Sequence, residues 1–470
     1  MAGGRSDAVV AGEAAPHRRV AFISGGALVL YLLDSLIRNA RFLSGYDLTI
    51  FDQGVDDYAH FRAPDVLIKS QQPFNLLGDH FHPILMLLAP LYRLWPDARM
   101  LLVAQAVLFA VSVHLLSRVA VRRLGRLGYF LGAAFALSWG VLQAVDFDFH
   151  EIAFAVPLLV LALDAVLDGR MLRMALLAGS LVLVKEDSPL LIIGIALVLL
   201  VQRRFRWAAI LGVFGIGAFI LLITVVIPHF SYSHTYTYFA YAGGGSHGVG
   251  GLIGTAWHTV FSLRGLIFLG ALALTAGLGL RSPLILALLP TLGARIVSSN
   301  YAYTGFLFHY NATLMVICFF ALIDGIVRQR GGGGRATQVL RWQTVLLAGV
   351  VAVSVARAPT IPSIAPVVAA CPRCDQAQAA VSVIPDGARV AADVFLLPHL
   401  VDRAQVMQAV PGFVDSTGLP LRADWVILDL DSTSFTPGWS RTLLASLLAG
   451  GRFAEVARPG RYVVLRAVGR

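Results

Sequence analysis

The sequence predicts an all-α polytopic membrane protein of about 11 transmembrane helices, carrying a small α/β domain at its C-terminal end. Three observations predict it. Of 470 residues, 57% are hydrophobic and only 14% charged, with a mean hydropathy of +0.74; a water-soluble globule carries roughly 25% charged residues. Apolar runs of about 20 residues recur, each long enough to cross a bilayer. Beyond residue 357 the pattern changes to short strand-like and helix-like pieces in alternation.

The net charge of +10 does not indicate a nucleic-acid partner, because the arginines lie in short clusters between apolar runs. Membrane proteins mark their cytoplasmic loops in this way. Lys69 and Lys185 are the only lysines in the chain. The N-terminal residues 1–19 have no early apolar core and read as a disordered cytoplasmic tail.

Hydropathy and arginine position thread the chain as follows. Arg18 and Arg19 precede a first span at 20–37, so the N-terminus is inside. A large first outer loop, 38–99, contains "YDLTIFDQGVDDYAHF" and a proline-punctuated apolar piece at 83–96. Prolines disfavour helix interiors, so this piece reads as a surface helix. Spans at 100–116, 127–145 and 152–167 follow, with Arg118, Arg122, Arg123, Arg126, Arg170 and Arg173 at their inner ends.

Next comes "LVLVKEDSPLLIIG", with Lys185, Glu186 and Asp187 in its middle. Arginine clusters on both sides require an even number of crossings. Two helices therefore meet at the charged triplet. Each arm is about 11 to 14 residues, too short at about 1.5 Å per residue to span roughly 30 Å. The turn should lie below the outer surface, in a water-filled or protein-lined hollow, where charge at that depth is tolerated.

The thread continues with a span at 207–227, a tyrosine-rich outer loop at 228–251, and spans at 260–280, 284–297 and 308–326. A glycine linker, "RQRGGGGR", precedes a last span at 345–355. Residues 20–357 form the membrane domain. Residues 358–470 open with a proline-rich linker and continue as the extracytoplasmic α/β domain, with strands at "ARVAAD", "DWVILDLD" and "RYVVLRAV". Its "CPRC" pair, Cys371 and Cys374, reads best as a local disulfide, which an outer compartment permits.

Acids, histidines and tyrosines collect in the outer loops, whereas the arginine clusters lie at the inner ends of the spans. Most sit at the end of a span or within a short one, which predicts convergence on one pocket at the outer face. The pocket candidates are Asp47, Asp52, Gln53, Asp79, His80, His82, Asp148, His150, Glu151, Lys185, Glu186, Asp187, Arg295, His309 and Tyr310. In "DFDFHE", Asp146, Asp148 and His150 have spacing that suits either a divalent metal such as Mg or Mn, or a polar loop holding two helix ends. The tyrosines after Pro228 either line a sugar path or form an interfacial belt, the belt being slightly preferred.

In their order along the chain, "YDLTIFDQ", "GDHFHP", "DFHE", "VKED" and "FHYNA" resemble an uncharacterised family of bacterial membrane proteins. That family is similar to the GT-C superfamily of integral-membrane glycosyltransferases. The resemblance covers about residues 20–330, with weaker likeness beyond. It implies transfer of a sugar from a polyprenyl-phosphate carrier to a glycan, lipid or protein acceptor at the outer face of the inner (plasma) membrane. It also implies a catalytic carboxylate in the first outer loop. That carboxylate falls on Asp52, followed here by Gln53 where the superfamily often has glutamate; Asp47 is the rival.

The chemistry agrees with that implication. A carboxylate can deprotonate an acceptor hydroxyl, and a departing phosphate needs positive groups; Lys185, His80, His82 and Arg295 are the candidates. Two other classes compete. A secondary transporter or flippase for a lipid-linked or anionic substrate would also bury charge in broken helices, but with a path to the other face. A sensor or scaffold displaying the C-terminal domain would leave the outer-loop acids without a task.

Overall fold

A computed structural model describes residues 4–242, 248–329, 333–357 and 370–469. The fold class is as expected: a mostly helical membrane protein with a small C-terminal sheet domain. Among the described residues, seven segments are long and apolar enough to cross a bilayer: His17–Ala40, Ala98–Leu124, Leu127–Asp146, Phe205–Phe230, Leu263–Arg281, His309–Gln329 and Gln338–Ala356. They do not make up the expected eleven. The other four expected spans, Ile152–Leu167, Met171–Leu183, Pro189–Val201 and Pro283–Ile296, are shorter apolar helices.

The first helix, α1, runs Gly4–Ala40. The stretch expected as a disordered tail thus continues the helix from Gly4 onward, as its alanines favour. Helix α2, Tyr46–Ala59, lies in the first loop. A 3₁₀ turn at Pro83–Leu88 and the short α3, Ala89–Leu94, form the surface element between the prolines. Helix α4, Ala98–Leu124, packs against α1 and against α5, Leu127–Ala136. Then come α6, Trp139–Asp146, and α7, Ile152–Leu167.

The charged triplet is a turn, as its flanking arginines require. Helix α8, Met171–Gly179, tightens to a 3₁₀ turn ending at Leu183, and α9 starts at Pro189 and ends at Val201. The 13 residues of α9 reach about 20 Å at 1.5 Å per residue. Proline at the helix start fits because its missing N–H would have no partner there.

Helix α10, Phe205–Leu221, leads through a π-helical turn into α11, Ile227–Phe230. The span expected at 260–280 is α13, Leu263–Ala276, which Ser262 caps by accepting from Gly265 N at 3.0 Å; an unforeseen helix, α12, Val249–Phe261, precedes it. No residue of α12 is buried. Helices α14, Leu289–Ile296, α15, Ala312–Gln329, and α16, Gly333–Arg357, complete the bundle. Every residue of α15 from Ala312 to Ile326 is buried, so this helix fills the centre. The expected glycine linker lies partly at 330–332, and the proline-rich linker within 358–369, both outside the described residues.

The C-terminal domain has five strands in the order β2-β1-β3-β5-β4, namely β1, Arg389–Ala392, β2, Gln405–Gln408, β3, Trp425–Asp429, β4, Phe453–Ala457, and β5, Tyr462–Ala467. Strands β1, β2 and β3 are parallel, while β5 runs antiparallel to β3 and β4. Helices α17, Pro372–Ser382, and α18, Trp439–Ala449, flank the sheet, and Cys371 is disulfide-bonded to Cys374 at the start of α17. The domain packs on the first loop through one apolar cluster that joins Ile50, Val66 and Leu76 to Val390, Val406 and Ile427. The Phe42 and His399 rings stack at 3.9 Å across the same contact.

Candidate active site

Five separated segments converge on a cavity of about 360 Å³ at one end of the bundle. They are the start of α2, the loop 69–82, the turn 147–151, the charged turn at Lys185 and the segment 300–310; tyrosines from the loop after α11 close it. Two close approaches fix these segments. A methyl at Gly78 would sit 2.4 Å from the Phe230 carbonyl, so the loop bearing Asp79 and His80 rests directly on α11. A methyl at Gly140 would sit 2.7 Å from the Asn311 carbonyl, which presses α6 onto the turn bearing His309.

Asp47 lines the cavity. Its side chain is 34% exposed, against 13% for Asp79 and 1% for Glu151, making it the most accessible of these three acids. Burial raises its pKa, but the His150 hydrogen bond and charge, with Lys69 and Lys185 farther off, outweigh that and hold it below the usual range. His150 Nε2 is 3.5 Å from Asp47 Oδ2. The other ring nitrogen, Nδ1, donates to the Asp148 carbonyl at 2.9 Å, because a carbonyl only accepts. Asp148 itself accepts from Gly45 N at 2.9 Å and Leu48 N at 3.5 Å, anchoring the start of α2. Burial and the neighbouring Asp47 raise its pKa to about 6.

Asp52 and Gln53 do not face the cavity. Five residues on from Asp47, Asp52 points about 140° around the helix axis. It is 1% exposed, and both its oxygens lie 3.0 Å from the Tyr92 hydroxyl, which donates to it. Burial pushes its pKa well above the carboxylate range. Gln53 donates to the Val406 carbonyl at 3.1 Å and accepts from Ile68 N at 3.0 Å. It ties α2 to the C-terminal sheet, which accounts for a glutamine here.

Both lysines of the cavity are paired with acids. Lys185 Nζ lies 2.8 Å from Glu151 Oε1, and Lys69 pairs with Asp79. Against burial, Lys185 is the main cause that keeps Glu151 at a pKa of about 2. His80 Nδ1 meets Glu186 Oε1 at 2.7 Å, and Glu186 also accepts from Phe81 N and the Tyr236 hydroxyl. His82 is buried and its pKa falls to about 4, chiefly by desolvation. The His309 ring stacks on His150 at 3.6 Å, and neither of its buried nitrogens has a hydrogen-bond partner among the described residues. Before it, Phe308 has φ +68°, a left-handed conformation that costs energy without glycine and is often found at functional sites.

A small hollow adjoins the cavity, sharing Lys185, His309 and Tyr310 with it and adding Asp187 and Arg295. Arg295 donates to Asn311 Oδ1 at 3.0 Å and to the Tyr310 carbonyl, so it braces the turn. Asp146, Asp148 and His150 do not assemble as metal ligands. Asp146 pairs with Arg38 at 3.5 Å, and Asp148 and His150 are committed as described. No group of three or more His, Cys, Asp or Glu side chains suited to a metal forms among the described residues.

The sequence singles out Lys69 only by its scarcity. Of the tyrosine loop, Tyr236 and Tyr238 turn inward, Tyr238 stacking on His80 at 4.4 Å and donating to Asp79 at 3.2 Å. Tyr232 and Phe239 stay exposed, so the belt and the pocket lining share one loop. The inward pair carries no local signal that separates it from its neighbours.

Residues 38–457 match the sequence model of a family described as predicted membrane protein. None of the curated proteins matches the chain. Among solved structures, the apo crystal structure of ArnT from Cupriavidus metallidurans matches with 14% identity, 94% of this chain and 98% of that chain covered, and a TM-score of 0.49.

Proposed function

The chain belongs to the DUF2079 family of predicted membrane proteins, and we propose that it is a membrane glycosyltransferase with Asp47 as its catalytic base. On this reading it transfers a sugar from a polyprenyl-phosphate carrier to an acceptor hydroxyl at the outer face of the plasma membrane, with inversion. The observation that carries it is the cavity itself: an accessible carboxylate faces two lysines and several histidines at one end of a membrane bundle. Asp47 takes the acceptor proton as the oxygen attacks the anomeric carbon, and the bond from that carbon to the carrier phosphate breaks.

The phosphate leaves with growing negative charge, which preorganised donors must meet. Lys185 and Lys69 each give one contact to a carboxylate, and an ammonium has three N–H donors. His80 donates to Glu186 through Nδ1, and its Nε2 can donate to the phosphate only when the ring is the imidazolium. A carrier whose tail stays in lipid explains why such a site belongs at headgroup depth. Helix α15 supports an enzyme over a transporter, because its buried apolar length fills the bundle beneath the cavity.

The test uses purified protein and a radiolabelled polyprenyl-phosphate sugar, reading release of polyprenyl phosphate. Asp47→Asn is expected to lower turnover about 10²-fold or more, the usual worth of general-base catalysis. Full turnover by Asp47→Asn would overturn the assignment.

A further inference from the structure

We propose that a second site, at the far end of the bundle, binds the phosphodiester headgroup of an anionic phospholipid. A hollow of about 200 Å³ lies between α4, α7 and the start of α8. Arg118 and Arg122 reach it from α4, one turn apart, Arg170 from the α7–α8 turn and Arg173 from the first turn of α8, with Asp164 as its acid. Apolar side chains of α4 and α7, Leu115 and Leu161 among them, form the rest of the wall. Asp164 lies 13 residues along the chain from Glu151, about 20 Å as helix, so the hollow and the candidate active site occupy opposite ends of α7.

The charge there is unbalanced. Arg122 pairs with Asp164 and, at 3.4 Å, with Asp168. Asp168 is also taken by Arg123 at 2.7 Å and Arg170 at 3.6 Å. Three arginines thus share two carboxylates, and two more, Arg118 and Arg173, stand beside them. Among the described residues, the side chains of Arg118 and Arg173 have neither an ion pair nor a hydrogen bond, and both are exposed at the rim. A basic hollow between membrane helices, arginine at its mouth and hydrocarbon on its wall, matches a lipid phosphate with its glycerol and first methylenes. The guanidinium fork suits phosphate oxygens better than a lone ammonium does. The arginine-rich ends are those expected to face the cytoplasm, where anionic lipid is in reach.

The site needs no glycosyltransferase activity, and neither does its test. The unfolding temperature of the full chain in neutral detergent is followed with added phosphatidylglycerol, phosphatidylcholine or inorganic phosphate. Phosphatidylglycerol is expected to raise it; the other two are not. R118Q/R173Q should unfold at the wild-type temperature without lipid and need at least tenfold more phosphatidylglycerol for the same rise, while R118K/R173K keeps most of the response. If the double variant is not recovered, R173Q alone carries the comparison with a smaller shift in the same direction. An equal response in wild type and variant would make the lipid a general boundary effect and overturn the proposal. So would a matching rise with inorganic phosphate alone, or no rise with phosphatidylglycerol.

Discussion

Asp52 is a buried acid whose folded pKa lies well above its unfolded value. The sign of the linkage follows. The folded state binds the extra proton, so this group's contribution to stability is fully present below about pH 4 and is lost as pH rises through the folded value. Asp52→Asn removes the titration and leaves an oxygen for the Tyr92 hydroxyl. Its unfolding temperature should therefore fall less than that of wild type between pH 5 and pH 8, with turnover retained. A variant as pH-sensitive as wild type would refute this. Lys185 behaves differently, because its partner Glu151 is almost fully buried. Lys185→Met strands that carboxylate and should cost about 3–5 kcal/mol; Lys185→Met with Glu151→Gln should recover much of it in a denaturant-based mutant cycle. A phosphate-anchor role for Lys185 is thus inseparable from folding, which the triplet's sequence does not reveal: Glu151 lies 34 positions away. Asp47 and Asp52 were equally legible as outer-loop acids, and the rotation of α2 against Tyr92 and the C-terminal sheet is what separates them.

Elements were legible where hydropathy is decisive. The broken helix at the charged turn and the surface element at Pro83–Leu94 follow from length, proline and arginine alone. Helix α12 was not legible. It is amphipathic, with Val249, Ile253, Trp257 and Phe261 exposed on one side and Gly250, Gly254, Thr255 and His258 lining a hollow on the other, and its glycines and short apolar face left it between the expected loop and the expected span. Strands β2 and β4 were missed because β2 has only Val406 and Met407 between two glutamines and the edge strand β4 is exposed over most of its length. Glycine offers a test at this scale. Gly78→Ala drives a methyl into the Phe230 carbonyl and should cost about 1–3 kcal/mol while displacing Asp79 and His80 and depressing turnover. Gly293→Ala, in open space on α14, should be neutral or stabilise by up to about 1 kcal/mol. Thermal unfolding of the pair distinguishes contact from propensity; equal effects would remove the argument that loop and α11 are held by close approach.

The whole molecule depends on a contact no local pattern announces. The first loop holds Asp47, Lys69, Asp79, His80 and His82, yet its apolar residues Ile50, Val66 and Leu76 are buried partly against the C-terminal sheet, over 300 positions away in the chain. Gln53 and the Lys69 carbonyl, which accepts from Ser416 N at 3.0 Å, fasten the two polypeptide regions together. The C-terminal domain is thus part of the scaffold that positions the cavity, and its sequence could be read as a separate unit only because the partners are so distant. Ending the chain after Arg357 would expose that apolar face and release the loop while leaving the seven long helices intact. The truncated protein should still insert in membranes with near-normal helical content by circular dichroism. It should lose turnover, and protease should cut between residues 60 and 80, where the full chain resists. Wild-type turnover from the truncated chain would mean that the loop is ordered by the bundle alone, and that the sheet serves some other end.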